Sequence, residues 1–252
     1  MSDEYSVIQV QREATFATIT LNRPEAMNAI TVAMLTELDA ALDSLSENPE
    51  IRVVVITGAG RAFSAGVDLK ALGDRSLENG KVGDFLDLPA RAVIDRIASM
   101  EAVVIAKVNG FCFTGALELA LACDLLIAAD EAKFGDTHAK WGLRPTWGMS
   151  QRLPLRVGSQ RAHLLSYTAA TFTGLQAALW GLAAASFPAD SLDDEVASLV
   201  STMLENSGGS LRAYKDLFAV TQDLPLAQGL AYEADTDYPI DDTEVRIAQF
   251  RS

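Results

Sequence analysis

The chain has 252 residues, 49% hydrophobic and 21% charged, which is enough apolar length for a substantial core in one domain. Twenty basic and 34 acidic residues give a formal charge of -14. That balance argues against sequence-independent nucleic-acid binding, and an anionic ligand would need helix N-termini and a few local Lys or Arg side chains. The start, Met1-Ser2-Asp3-Glu4-Tyr5, carries no apolar signal segment, and no uncharged apolar run reaches the ~18 residues of a membrane span. A cytoplasmic protein without membrane insertion is the expectation.

In chain order, residues 5–10 and 15–21 read as two strands joined by a short polar turn. Leu35, Leu38, Leu42 and Leu45 mark one face of a helix at three- and four-residue spacing. Val53-Val54-Val55-Ile56 predicts a strand buried on both faces, closed by Gly58-Ala59-Gly60. A helix is expected over 86–100, strands over 103–108 and 125–128, and a short buried helix over 115–122. This alternation predicts an α/β core. After Pro154 helical signals dominate, over 159–168 and 173–184. Leu192, Val196, Leu199 and Met203 then mark an amphipathic helix that Ser207-Gly208-Gly209-Ser210 ends. Further helices are expected over 211–220, 226–232 and 242–250. Residues 73–83, polar with three glycines, are the expected mobile loop. Cys112 and Cys123 sit in apolar runs without metal-ligand spacing, so reduced core thiols and no metal site are expected.

The chemistry centres on one acid. Between Lys107 and Asp124 the only charged residue is Glu118, set in Gly115-Ala116-Leu117-Glu118-Leu119-Ala120-Leu121-Ala122. A carboxylate among apolar residues is costly to bury unless it is paired or protonated, and such acids are candidates for acid/base work. Glu118 also falls in the first turn of its helix, where a contact with its own helix N-terminus would suit it equally. Gly115, at the start of that helix, offers an unpaired N–H at the positive dipole end. A second donor turn is Arg61-Ala62-Phe63-Ser64-Ala65-Gly66-Val67-Asp68-Leu69-Lys70, whose small residues let a ligand approach the backbone. The alternative there is a plain strand-to-helix turn capped by Asp68. His163 sits in a run that reads as an exposed helix face or a subunit contact. Trp141, Trp147 and Met149 either line an acyl pocket or pack beneath a loop.

The segments Leu21-Asn22-Arg23-Pro24-Glu25-Ala26-Met27-Asn28-Ala29, Phe63 to Lys70, Asn109-Gly110-Phe111 through Glu118-Leu119-Ala120, and Cys123-Asp124 occur in a familiar order. With Phe134-Gly135, Pro145 and Gln151-Arg152-Leu153, they resemble the enoyl-CoA hydratase/isomerase (crotonase) family over about residues 5–160. The resemblance implies a spiral of ββα turns over residues 1–190 and a C-terminal helical region over 191–252 that builds homotrimers or hexamers. It implies an acyl-CoA thioester substrate and no cofactor beyond the coenzyme A that substrate carries. The N–H groups of Val67 and Gly115 would polarise the thioester carbonyl. Ala65, Asp68, Leu69 and Lys70 would line the CoA path, and Ala26 would meet its nucleotide end.

Hydratases of the family use two glutamates on one water. The first aligns with Glu118, whereas the second position is His138, in Asp136-Thr137-His138-Ala139-Lys140. An imidazole orients water or shuttles a proton near neutral pH but brings no second negative charge. Asp136 is close enough in sequence to substitute, but its side chain is expected to point elsewhere if the family's local loop is kept. The resemblance therefore implies hydration of a trans-2-enoyl-CoA, with Glu118 as principal acid/base and His138 assisting. Isomerisation, decarboxylation or thioester hydrolysis on the same enolate remain open, as does acyl-CoA binding without turnover. Isomerases of the family rely on an acid near the position of His138.

Overall fold

A computed structural model describes residues 5–73, 75 and 77–251. Strands β1 (Ile8–Arg12) and β2 (Phe16–Leu21) form an antiparallel hairpin with Ile8 opposite Leu21. Helix α1 (Val32–Ser46) follows, its N-terminus capped by Thr31, which accepts from Met34 N. Leu35, Leu38, Leu42 and Leu45 are buried, as their spacing predicts. The chain then repeats one construction. A long strand is followed by a short one and then by a helix or an active loop. These units are β3 (Val53–Gly58), β4 (Ala62–Ser64) and α2 (Asp84–Ser99); β5 (Val103–Val108), β6 (Phe111–Phe113) and α3 (Gly115–Ala122); and β7 (Leu125–Ala129) with β8 (Lys133–Gly135).

Next come α4 (Met149–Val157), α5 (Ser159–Thr168), β9 (Phe172–Thr173), α6 (Gly174–Leu179) and β10 (Ala185–Phe187). The C-terminal helices are α7 (Leu192–Glu205), α8 (Gly208–Thr221), α9 (Leu226–Asp235) and α10 (Thr243–Arg251). The long strands, with the three-residue β10 at one edge, form a six-stranded sheet ordered β1-β2-β3-β5-β7-β10, and the remaining short ones a four-stranded sheet ordered β4-β6-β8-β9. This is the ββα spiral that the resemblance implies.

The long sheet is the heart of the core. All six residues of β3 are buried, between parallel neighbours β2 and β5. A strand covered on both faces needs no polar alternation, which is why the β-branched run is legible. Lys215 of α8 reaches back into this core. Its ammonium donates to the carbonyls of Ile97 and Ala102 at 3.0 and 2.8 Å and pairs with Asp124 at 2.9 Å. Apolar side chains of α9 and α10 remain outside, among them Leu226, Leu230, Val245 and Phe250. Among the described residues no helix is long and apolar enough to cross a membrane.

Three expectations change. Residues 173–184 are not one helix. Thr173 caps a six-residue α6 in a capping box with Gln176, and β10 then returns to pair with β7. Pro154 does not mark a boundary but lies inside α4, where it removes a single backbone donor near the helix C-terminus. Ser207-Gly208-Gly209-Ser210 separates α7 from α8 as expected, yet Gly208 already belongs to α8, because the Ser207 hydroxyl caps Ser210 N. Of the expected loop over 73–83, residues 74 and 76 lie outside the described residues. Beyond them the Gly80 carbonyl accepts from Arg144 N at 2.9 Å, fixing this stretch to the segment before α4. Cys112 and Cys123 are free and buried, and burial pushes both thiols up.

Candidate active site

The short sheet places the chemistry. Strands β4, β6 and β8 run parallel and side by side, with Ser64 opposite Cys112 and Phe113 opposite Gly135. At their C-terminal ends the chain leaves as Ala65-Gly66-Val67, as Thr114-Gly115, and as Asp136-Thr137-His138. Clefts beyond the carboxyl ends of parallel strands are where open α/β folds bind ligands. Here they border a cavity of about 340 Å³, lined by residues that include Ala65, Val67, Gly115, Glu118, His138 and Trp147.

The first exit is held from the N-terminal motif. Buried Asn28 donates to the Ala59 and Ala62 carbonyls at 2.9 and 2.7 Å, and its Oδ1 accepts from Arg23 N at 2.8 Å. Ala65 N donates to Met27 O, Ile30 N to Gly66 O, and Asp68 N to Ile30 O. Residues 66 and 68 thus face Ile30 across a parallel bridge. In an extended segment the intervening N–H points the other way. Val67 N–H is therefore turned from Ile30, and it has no acceptor among the described residues. Gly66 has φ +87, and a Cβ there would meet the Phe113 carbonyl at 2.6 Å, so only glycine fits.

The second exit makes the other donor. Thr114 stands at φ 52, ψ -115, a conformation costly for a threonine, and its N–H is anchored to Gly135 O at 2.9 Å. Its hydroxyl meets that of Thr137 at 3.0 Å. Gly115 follows as the first residue of α3, and its N–H likewise has no acceptor among the described residues. A Cβ on Gly115 would sit 2.5 Å from a ring carbon of Trp147, so the indole packs directly on this backbone.

Glu118 lies one helical turn further, 1% exposed. Its Oε1 accepts from Trp147 N at 3.0 Å and Met149 N at 2.9 Å. The carboxylate is therefore held from the segment entering α4 rather than by a cap on its own helix. Its Oε2 faces His138 Nε2 at 3.5 Å. Burial raises the Glu118 pKa, opposed by the imidazole and the two backbone N–H groups. On the far side of the imidazole, Asp136 Oδ1 lies 2.6 Å from Nδ1 and 3.3 Å from His138 N. Burial alone would raise the Asp136 pKa, but its hydrogen bonds to His138 and Ser166 bring it below the ordinary value. Glu118, His138 and Asp136 form a line, and among the described residues no group of such side chains is placed to hold a metal ion.

Of the residues singled out in the sequence, Ala65, Val67, Leu69, Gly115, Glu118 and His138 border the cavity, while Ala26, Asp68 and Lys70 stand away from its lining. Asp68 pairs with Arg23 at 3.0 Å and accepts from Ala71 N at 3.1 Å, so it braces the turn. Trp141 lines the cavity at 57% exposure rather than packing in the core, and Trp147 is a buried wall. His163 is on an exposed face of α5, stacked on Tyr167. Two contributions escape sequence reasoning. Asp136 points away from Glu118, yet straight at the imidazole. Asp87 of α2 accepts from Trp147 Nε1 at 2.7 Å and Thr146 Oγ1 at 2.9 Å, while its other oxygen is buried without a partner among the described residues. An acid inside the otherwise amphipathic run 84–99 is the only signal the sequence holds of it.

Comparison with known proteins bears on the family and the fold. A family model described as enoyl-CoA hydratase/isomerase matches residues 11–246. The chain is 35% identical over 229 residues to the Mycobacterium tuberculosis protein named "Probable enoyl-CoA hydratase echA8", covering 91% of this chain and 87% of that one. The crystal structure of enoyl-CoA hydratase from Bacillus anthracis matches with TM-score 0.86 at 31% identity, over 91% of this chain and 88% of that one. A Thermobifida fusca protein in complex with acetoacetyl-CoA matches with TM-score 0.82 at 30% identity, over 97% and 96% of the two chains. With motif order, fold and nearly the whole length in agreement, the chain belongs to the enoyl-CoA hydratase/isomerase family.

Proposed function

We propose that the chain hydrates a trans-2-enoyl-CoA to the 3-hydroxyacyl-CoA. The observation that carries this reading is the division of labour on Glu118. One oxygen is committed to two backbone N–H groups, and the other is free toward the cavity beside His138 Nε2. An acid fixed on one side and open on the other is suited to hold a water against a substrate carbon. The thioester oxygen accepts from Val67 and Gly115 N–H, which stabilise the negative charge it gains. Glu118 Oε2 takes a proton from water as the water oxygen bonds to C3. The double-bond electrons move onto the carbonyl as an enolate. C2 then takes a proton from His138 Nε2, and Glu118 passes its new proton to the imidazole, restoring the site. One water is consumed: its oxygen and one hydrogen become the 3-hydroxyl, and its other hydrogen replaces the proton that His138 gave to C2.

The substrate class is supported by the acetoacetyl-CoA bound to the Thermobifida relative. It is also supported by exposed Lys140 and Arg144 on the cavity lining, local cations that phosphates need in a chain of charge -14. Ala65 and Leu69 lie on the CoA path with Lys70 and Asp68 beyond them, and Ala26 lies toward the nucleotide. No separate cofactor enters the reaction. The test is Glu118→Gln assayed on crotonyl-CoA. Loss of a positioned acid/base should lower kcat by ~10²–10⁴-fold. A rate equal to wild type, or thioester binding without turnover by the wild type across a panel of enoyl-CoAs, sinks the assignment.

A further inference from the structure

The buried acid next to His138 has no place in a two-group picture of the site. We propose that Asp136 is a positioning residue. Its carboxylate locks the imidazole of His138 with Nδ1–H inward and Nε2 toward Glu118, so that Asp136 and His138 together form one neutral, proton-carrying unit. The inference rests on the hydratase reading above and deepens it.

The geometry leaves Asp136 one task. Oδ1 is 2.6 Å from Nδ1, and the same oxygen accepts the His138 backbone N–H at 3.3 Å. Ring and backbone are thus tied to a single anchor within three residues. The Ser166 side chain of α5 also hydrogen-bonds the acid. An imidazole with a carboxylate at Nδ1 keeps its proton there when neutral and exposes a bare Nε2. When the ring is protonated, the carboxylate balances its charge. The other charged groups near the ring are Glu118, 3.5 Å from Nε2, and Lys140 and Arg144 on the same cavity wall.

The charge arithmetic follows. An imidazolium beside a carboxylate has no net charge and one transferable proton at Nε2. A protonated carboxylic acid has the same two properties. Asp136 therefore supplies the negative charge that histidine lacks, and the site as a whole keeps the single net negative charge of ionised Glu118. An acid two residues away and pointing outward does what an acid at position 138 would do alone.

The chain has two histidines, so one substitution isolates the relevant ring. The test uses ¹⁵N-labelled full-length protein with His163→Gln, followed by long-range ¹H–¹⁵N correlation across a pH titration. His138 should lose its proton from Nε2 and keep it at Nδ1. A proton lost from Nδ1 instead overturns the proposal in a protein whose site is unaltered, whatever its activity. The kinetic arm is Asp136→Asn, with Asp136→Glu as the conservative variant. The expected result for Asp136→Asn is a kcat ~10–10²-fold lower with KM within about twofold, since proton transfer and not thioester binding is impaired. Asp136→Glu should restore part of that loss in kcat, again with little change in KM. Unchanged kcat in Asp136→Asn would reduce Asp136 to a loop brace. Absence of hydration by the wild type, with the Nδ1 proton retained, would instead reject the reaction assigned to the site and leave the Asp136–His138 couple standing.

Discussion

The two sheets of this protein are built from the same turns of one spiral and do different work. Each turn puts a strand of five or six residues into the long sheet and one of three into the short sheet. Strands β3, β5 and β7 of the long sheet are mostly buried and aliphatic. At the cleft the short strands β4 and β6 lead into positive-φ backbone, Gly66 at φ +87 and Thr114 at φ 52. The irregular exits leave the Val67 and Gly115 N–H groups without an acceptor among the described residues and set Glu118 and Asp136 on opposite sides of the His138 ring. Stability is concentrated in the first sheet and strain in the second, which the first can support.

The sharpest way to break this division is to add one carbon to the short-sheet side. Gly115→Ala places a Cβ 2.5 Å from the Trp147 ring, and a buried indole held by Asp87 cannot yield cheaply. Either the ring moves, dragging the Trp147 N–H from Glu118, or the start of α3 moves, carrying the Gly115 N–H with it. Losing one such donor costs ~10²–10³-fold in kcat. The overpacking itself costs ~1–3 kcal/mol. Steady-state kinetics and urea unfolding on the same preparation separate the two effects. A variant with less than threefold loss of kcat would show that this backbone takes no part in the chemistry.

A smaller effect concerns Glu118 as an ionisable group. Burial, the largest influence, raises its pKa above the ordinary glutamate value of 4.5. To act as the base proposed above, it must be ionised in the free enzyme. The acid limb of kcat/KM should therefore fall above pH 4.5, with activity lost as pH drops through the raised value. For stability the sign is opposite. The fold favours the protonated acid, so the contribution of Glu118 is present below its unfolded pKa and lost as pH rises through the folded one. Glu118→Gln has no charge to bury and should be at least as stable as wild type at neutral pH. An acid limb at or below pH 4.5, together with a less stable variant, would mean that the carboxylate is better solvated than the structure has it.

The same contrast explains what was legible in the sequence. Val53-Val54-Val55-Ile56 and the Leu35–Leu45 stripe announce themselves because their burial is long and periodic. Strands β4, β6 and β8 have three residues each, too short for any period, and their pairing depends on residues ~20–50 positions apart. Glu118 stands out because its neighbours are apolar, and Val67, Gly115 and His138 follow from their motifs. What holds them does not. The bonds from Trp147 and Met149 to Glu118 come from a segment that sequence reasoning left without a helix. The direction of the Asp136 side chain is set by the turn it makes with His138, and the contact of Asp87 with Trp147 joins residues 60 apart. Side-chain aim across a loop has no signature in a one-dimensional pattern.

The smallest effect should come from the long sheet, and it completes the comparison. Ile56 is fully buried in β3, two residues before the strand ends. Ile56→Val removes one methylene from a well-packed site and should cost about 1 kcal/mol of stability. Its neighbours in the sheet are Ile19 of β2 and Ala106 of β5, none of which borders the cavity. The expected result is a lower urea midpoint with unchanged m-value, and kcat and KM within about 1.5-fold of wild type. If kcat falls in step with stability, the two sheets are mechanically coupled, because strand β3 leads through only three residues into β4 and the Val67 donor. The long sheet would then fix the aim of the proposed oxyanion donors as well as the stability of the fold.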